Sequence, residues 1–376
     1  MEVAMSIPST TPFLQFGTSR FLQAHVDLFL SEALKRGRAL GPVTVVQSSG
    51  DGERRKRLSA LADPSGFPVR IQGLELGKAV SFESRVTSIA RALSTEVDWK
   101  EICRIASDEV EIILSNSGDS GWKRQSADSY PLFQQSMSYP AKLTHVLLAR
   151  FRASAEPVQV MPTELVSRNG DQLKIRVVEI AEALDTGFTD WVCTHVRFVN
   201  SLVDRIVSAA LEPAGAVAEP YALWAIENVE GLVVPCMHPK VQVVHSLDLI
   251  EKLKLHILNL GHTYLVSRWI EAGKKANIFV RDMMNDSGSR TELASIYEAE
   301  VLPTFAAWGH LKDAADYVAV TMERFANPYL DHRLSDIAQN HGEKVQRRIK
   351  ALLDWSDKLD VPRTQFRLRA VVRTSI

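Results

Sequence analysis

Short apolar runs, each closed by a polar or glycine-containing turn, fill the first half of the chain. Phe13-Leu14-Gln15-Phe16 ends at Gly17 and leads into an apolar helical stretch, Val26 to Leu34. Val43 to Gln47 lies between Gly41-Pro42 and the turn Ser48 to Gly52. Glu109 to Leu114, Val158 to Met161 and Val196 to Asn200 have the same form. Such runs read as strands buried on both faces. Trp99 to Ala106, Ala141 to Ala153 and Leu173 to Thr186 carry a helical period between them. Phe67 to Leu76 and Ala79 to Ile89 alternate, which predicts a hairpin on the edge of the sheet. From about Tyr221 onward helix follows helix: Leu247 to Leu260, Thr263 to Ala272, Arg290 to Phe305, Leu311 to Phe325, Arg333 to Asn340 and Lys344 to Trp355.

This change of period predicts an α/β chain in two parts. An N-terminal Rossmann-type dinucleotide-binding domain is expected over 1–215 and an all-helical C-terminal domain over 216–376. The alanine-, glycine- and proline-rich stretch Glu212 to Pro220 is the expected linker. A length of 376 residues suits two cores rather than one. Composition then removes whole classes of function. A hydrophobic share of 45% and a charged share of 24% are those of a globular protein. A net charge of -1 argues against nucleic acid or a membrane surface as partner. No apolar stretch approaches the ~20 residues of a membrane span. Met1 to Pro12 lacks the basic start and apolar core of a signal peptide. Cys103, Cys193 and Cys236 are spaced for neither a disulfide framework nor a zinc knuckle, and a cytoplasmic setting is expected. The ten histidines include no HExxH pair and no His-Cys cluster, so no metal is expected.

Two stretches carry candidate chemistry. The strand, glycine turn and helix around Gly17 have the arrangement that opens a dinucleotide-binding unit, but Ser19 holds the place of the second glycine and no third follows, so an ordinary strand-to-helix turn is the other reading. At the end of the second strand an acidic group selects NAD, whereas a basic cluster accepts the NADP phosphate. Here Asp51 is followed by Arg54-Arg55-Lys56-Arg57, so NAD is expected and NADP stays open. Asn116, after the run ending at Leu114, either bonds the cofactor or caps the next segment. The second stretch is Lys254-Leu255-His256-Ile257-Leu258-Asn259-Leu260-Gly261-His262, read as one helix. At about 100° per residue, Asn259 lies roughly 140° around from Lys254 and His262 roughly 80°, so all three can look into one cleft. A partly buried lysine can act as a base, an asparagine amide can bond a developing alkoxide, and a histidine can orient substrate or relay a proton. The same residues also suit a solvated lysine, a helix-end asparagine and a satisfied half-buried histidine.

Together these pieces resemble the polyol-specific long-chain dehydrogenases, the family of mannitol dehydrogenase, fructuronate reductase and tagaturonate reductase, from about Phe13 to about Ile349. Gln15-Phe16-Gly17 with Phe21 and Leu22 is similar to its first cofactor turn, and Asn116 to Gly121 to its Asn-Thr-Thr-Glu-Ala-Gly turn. Pro162 to Glu164 with Asn169-Gly170, Asn200 with Leu202 to Ile206, and Glu219 to Trp224 resemble further family phrases. Lys254, Asn259 and His262 reproduce its Lys-x4-Asn-x2-His motif, with Leu260 where glycine is common. Asn327-Pro328 with His332-Arg333-Leu334 resembles its C-terminal helices. The resemblance implies zinc-independent chemistry with Lys254 as general base. Asn259, helped by Asn169, would hold the substrate oxygen, and His262 would position substrate. Asp204 would lie on the proton path or bind substrate hydroxyls, with His332 and Arg333 as further substrate contacts. Candidate cofactor contacts are Gly17, Ser19, Phe21, Gln47, Asp51 and Asn116.

The function expected first is NAD-dependent oxidation of a secondary hydroxyl of a hexitol-type polyol to a ketose. The alternative is NADH-dependent reduction of a keto-hexuronate, which calls for an arginine or lysine clamp such as Arg324, Arg333 or Lys344. A sugar- or dinucleotide-binding regulator without turnover is the reading from another class. The expected partner is a small molecule, and the expected state a monomer or small homo-oligomer.

Overall fold

The computed structural model describes residues 10–118, 121–276, 278–362 and 364–374. Its first compact unit is built on strands β1 (Phe13–Phe16), β2 (Val43–Gln47), β3 (Phe67–Glu75), β4 (Lys78–Val86), β5 (Ile89–Ser94), β6 (Ile112–Ser115), β7 (Val158–Pro162) and β8 (Val196–Phe198). Six of them form a parallel sheet in the order β5-β2-β1-β6-β7-β8. That is the doubly wound Rossmann order, with helices on both faces. Alternation along β1 sends Phe13 to one core with Val43, Val45, Ile112, Leu22 and Phe29. It sends Leu14 and Phe16 to the other, with Val46, Ile113, Ile102, Leu143 and Leu173. Because both faces are covered, the strands read as unbroken apolar runs.

Several expectations are corrected. Phe67 to Ile89 is not an edge hairpin of the parallel sheet. β3 and β4 belong to a separate four-stranded sheet, and the chain breaks at Thr87-Ser88 so that Ile89 can open β5, the outer parallel strand beside β2. Strands also do not stop near Tyr221. β9 (Ser201–Asp204), β10 (Val207–Ala210), β11 (Ala216–Ala218), β12 (Leu223–Glu227) and β13 (Val241–Val244) follow, in sheets ordered β10-β11-β3-β4 and β13-β12-β9. Within the expected linker Glu212 to Pro220, all but the exposed Glu212 and Pro213 are core. Ala214, Ala216 and Ala218 are buried, and a Cβ on Gly215 would lie 2.3 Å from the Pro68 carbonyl oxygen. Small residues stand there because two backbones approach closely. By contacts the chain forms two compact units, Met1–Ile71 with Phe82–Leu247, and Gln72–Ser81 with Asp248–Ile376. The predicted Leu173 to Thr186 helix is two helices, Asn169–Glu182 and Thr186–His195. Between them Asp185 caps the Phe188 N–H at 2.7 Å.

The second unit comprises Asp248–Ile376 with Gln72–Ser81. It is helical from Asp248–Leu253 onward, around a core that includes Ile257, Leu260, Tyr297, Phe305, Phe325 and Ile349. Three of its helices contain a widened π-turn: Lys254–Asn259, Tyr297–Val301 and Val345–Lys350. The hairpin tip joins this unit through Gly77, whose N–H donates to Glu323 at 2.9 Å. Gln72 contributes its carbonyl, which accepts from Asn327 Nδ2 at 3.3 Å. Among the described residues no helix is long and apolar enough to cross a membrane.

In the first unit one buried cation ties helices to strands. The Arg150 guanidinium donates to the carbonyls of Ala106, Val110, Glu156 and Pro157, and burial pushes its pKa down to about 10. Each carbonyl stranded by its removal would cost about 1–3 kcal/mol. Arg150→Met is therefore expected to lower the unfolding free energy by about 2–4 kcal/mol, read by urea denaturation. A loss below about 0.5 kcal/mol would mean that other donors serve those carbonyls.

Candidate functional site

The turns at the C-terminal edge of the parallel sheet are tied to one another by side chains. Gly17, with φ of 126°, ends β1, and a Cβ there would lie 2.7 Å from the Asn116 carbonyl oxygen. Only glycine lets the chain leave β1 so close to the end of β6. Ser19 caps the next helical turn by accepting from Leu22 N–H, and its hydroxyl donates to Asn116 Oδ1 at 3.4 Å. Asn116 Nδ2 in turn donates to the Thr163 carbonyl at 3.0 Å, which links the ends of β1, β6 and β7. Glu164 is buried and receives the Ser115 hydroxyl at 3.0 Å and the Ser117 N–H at 2.9 Å, while burial raises its pKa. Beyond that clasp lies Gly118, with φ of 70°, where a Cβ would meet nothing within 4 Å among the described residues. Asp119 and Ser120 of the expected cofactor turn lie outside the described residues.

The order reverses at β1, whose neighbours are β2 and β6, and ligands of such sheets bind in the crevice at that switch point. The residues there fit a dinucleotide. Gln47, at the end of β2, keeps a buried Oε1 without a partner, while its Nε2 donates to the Asp51 carbonyl at 2.7 Å. Asp51 caps a short helix through the Glu53 and Arg54 N–H groups. The basic run is met locally by acids: Arg54 by Asp51, Arg55 by Glu96, Lys56 by Glu53 and Arg57 by Glu212. Phe21 stacks on His25 with ring centroids 4.8 Å apart. The helix expected after the glycine turn is interrupted. Arg20–Gln23 is one turn, and Val26–Leu34 starts anew.

Asn169 stands in this first unit and is spent on the backbone. Its Nδ2 donates to the Pro162, Glu164 and Ser201 carbonyls, and its Oδ1 accepts from Gly170 and Ser201 N–H. A side chain so engaged is a brace between β7 and β9, not a free donor for substrate. Asp204 is buried in β9, opposite Leu223 of β12.

In the second unit the Lys-x4-Asn-x2-His stretch is helical, but Lys254–Asn259 is a π-turn between Asp248–Leu253 and Leu260–Glu271. Bonds closing over five residues bring residues five apart round to one face. Lys254 and Asn259 therefore lie much closer around the helix than the roughly 140° of a regular helix. Both are half-exposed, whereas His256, Ile257, Leu258 and Leu260 are buried. His262 is buried against Phe325 at 4.3 Å and edge-on to His332 at 4.7 Å, ring centroid to centroid. Among the described residues its Nε2 has no partner, and burial, then His332, Arg324, Arg348 and Lys344, hold its pKa well below the usual imidazole range.

His332 thus stands beside His262, but Arg333 does not join it. Arg333 is exposed and lies over the Phe279 ring, 5.8 Å from its centroid. The cations gathered at His262 are Arg324, Lys344 and Arg348. Among the described residues neither Lys344 nor Arg348 has a carboxylate within 4 Å. Lys344 donates to the Ile337 carbonyl at 2.7 Å, and Arg348 to Thr263 Oγ1 at 3.0 Å. Arg348 carried no signal in the sequence, because it sits in a run, Arg347-Arg348, that reads as a solvated face. Among the described residues no group of three or more His, Cys, Asp or Glu is placed to hold a metal ion.

Residues 12–233 match the family model of the mannitol dehydrogenase Rossmann domain, and 246–366 that of the mannitol dehydrogenase C-terminal domain. The chain is 30% identical over 374 residues to the altronate oxidoreductase of Bacillus subtilis (strain 168), covering 92% of this chain and 75% of that protein. It is 29% identical over 389 residues to the altronate oxidoreductase of Cronobacter sakazakii, covering 96% and 78%. Among solved structures a substrate-free D-sorbitol dehydrogenase shares the fold with a TM-score of 0.81 at 18% identity, covering 97% of this chain and 80% of that one. Pseudomonas fluorescens mannitol 2-dehydrogenase, solved as a ternary complex with NAD and D-mannitol, does so with a TM-score of 0.77 at 18% identity, covering 99% and 80%.

Burial holds His256 and His332 at about 4 and pushes His262 well below the usual imidazole range. Unfolded, these rings take up protons below about pH 6.5. Acidification from about 6.5 toward 4 then protonates the unfolded chain first, so stability falls across that window. The melting temperature is expected to be level above about pH 7 and to drop steeply below 6.5, with a shallower drop in His256→Gln. An equally steep drop in that variant would assign the slope to other groups.

Proposed function

The chain belongs to the mannitol dehydrogenase family of oxidoreductases, and on that premise we propose that it interconverts a secondary hydroxyl of a sugar acid and the matching ketone, with NAD as hydride carrier. The observation that carries the sugar acid over the neutral polyol is the pair Lys344 and Arg348. Two half-buried cations without a carboxylate partner stand beside a buried neutral histidine. Uncompensated charge of that kind is costly, and an anionic substrate relieves it. The altronate oxidoreductases among its relatives act, by their name, on such an acid. Hexitol oxidation, the function expected first from the sequence, has the mannitol dehydrogenase family models and the fold of the two structural neighbours behind it, but no feature of the cation pair.

In this reading Lys254 accepts the hydroxyl proton as the carbon yields its hydride. The Asn259 amide, in line with Lys254, donates to the same oxygen as it becomes a carbonyl. His262, neutral and with a free Nε2, orients a neighbouring hydroxyl. Lys344 and Arg348 hold the carboxylate. Bound NAD supplies the acceptor for the hydride. Asp51 at the end of β2, with the basic run already paired, supports NAD over NADP.

The test follows absorbance at 340 nm with NAD+ and NADP+ against hexonates such as altronate and against hexitols. Turnover of one hexonate with NAD+ is expected, rising with pH because the lysine must be unprotonated to act. Hexitol turnover without hexonate turnover would restore the polyol reading. Lys254→Ala is expected to lose about 10²–10⁴-fold in turnover with NAD affinity kept. Lys344→Met is expected to raise KM for the hexonate about tenfold or more, the worth of one hydrogen bond to a charged group. An unchanged KM would remove Lys344 from the substrate site.

A further inference from the structure

The π-turn at Lys254–Asn259 is held from outside by a neighbouring helix. Where the turn widens, the backbone pairing becomes irregular. The Leu260 N–H lies against both the Ile257 and the Leu255 carbonyls. The Ile257 carbonyl takes a further donor, the Tyr297 hydroxyl, at 2.9 Å. Tyr297 is fully buried, and burial raises its pKa far above the usual phenol range, so the hydroxyl stays protonated and donates. The place it occupies is kept open by Gly261, since a Cβ there would lie 1.9 Å from the Tyr297 oxygen and 2.9 Å from the Phe325 ring. A glycine inside a helix costs about 1 kcal/mol relative to alanine, and here the tyrosine oxygen is the packing reason for it. At the other end of the turn the Asn259 carbonyl accepts from the Thr263 hydroxyl at 2.9 Å and from Arg348 at 3.3 Å.

We propose that Tyr297 is a positioning residue for the reaction. Its hydroxyl, seated over Gly261 and bonded to Ile257, sets the π-turn that aligns Lys254 with Asn259. Without that donor the helix is free to relax toward the regular period, which carries Asn259 roughly 140° away from Lys254. Base and oxygen donor would then no longer meet the same hydroxyl. The inference rests on the reading of Lys254 and Asn259 given above.

The test is Tyr297→Phe, which removes one oxygen and keeps the ring, alongside Gly261→Ala, which drives a methyl into that oxygen. Turnover of Tyr297→Phe is expected to fall about tenfold, the worth of one net hydrogen bond. KM for the sugar acid and NAD affinity should stay within about threefold, because Lys344, Arg348 and the first unit are untouched. A purely structural tyrosine would lower the melting temperature and leave turnover per folded molecule as it was. That result, with Lys254→Ala inactive, overturns the proposal. In the double variant the methyl no longer meets an oxygen, so the two losses should be less than additive. Full additivity also counts against it. If Tyr297→Phe does not fold, Gly261→Ala carries the same split of turnover from KM. If Lys254→Ala keeps full turnover, it is the reading of the site that fails, whatever Tyr297→Phe does.

Discussion

A regular helix turns once in about 3.6 residues, so a lysine and an asparagine five apart diverge. Closing the backbone over five residues at Lys254–Asn259 narrows the divergence, and much of the second unit is arranged to make that irregular turn tolerable. An unserved buried carbonyl costs about 1–3 kcal/mol. Tyr297 serves Ile257, while Thr263 and Arg348 serve Asn259. His256, on the inward face, bonds the Arg348 carbonyl at 3.1 Å, so the π-turned helix at Val345–Lys350 is tied back to the one at Lys254–Asn259. The apolar residues between the polar ones, Ile257, Leu258 and Leu260, are buried in the helical core and fix the rotation of the whole segment.

The first unit answers a related demand by other means. The ends of parallel strands carry backbone groups with no ladder partner, and a ligand-facing edge cannot be covered by another strand. Here side chains close the account from below. Glu164 gathers Ser115 and Ser117, Asn116 reaches Thr163, and Asn169 bridges Pro162 to Ser201. The turns are fixed before any ligand arrives, which lowers the entropy lost on binding. The family motif around Asn169 is, in this geometry, part of the frame rather than of the reacting surface.

Period and turn chemistry made much of this legible in the sequence. β1, β2 and β7 were recognisable because a strand covered on both faces must be apolar throughout, and Gly17 because its φ excludes other residues. The Lys254, Asn259, His262 set was visible as residue types, but its alignment was not. A π-turn has no compositional mark, and it follows from Tyr297, forty residues later. The hairpin misled because alternation reports one exposed face, not which sheet a strand joins. The alanine-rich stretch near Gly215 misled because small residues mark close backbone packing as readily as a flexible joint. Of the cations at His262, Arg324 and Lys344 stood among the clamp candidates, whereas Arg348 was hidden because burial, which separates it from a solvated arginine, is a property of the fold.

The hairpin tip has a consequence for how such a chain can change over evolutionary time. Gln72–Ser81 clusters with the helices, although the sequence on either side of it belongs to the first unit. The path therefore passes from one unit to the other three times, at 71/72, 81/82 and 247/248. A gene fragment cut at the last crossing would encode helices missing the segment that meets Glu323 and Asn327. The two halves are thus not interchangeable cassettes. Recombination that swaps one for a homologue's must also carry the hairpin, and so the specificity of the helical part is inherited together with a stretch written inside the nucleotide-binding part.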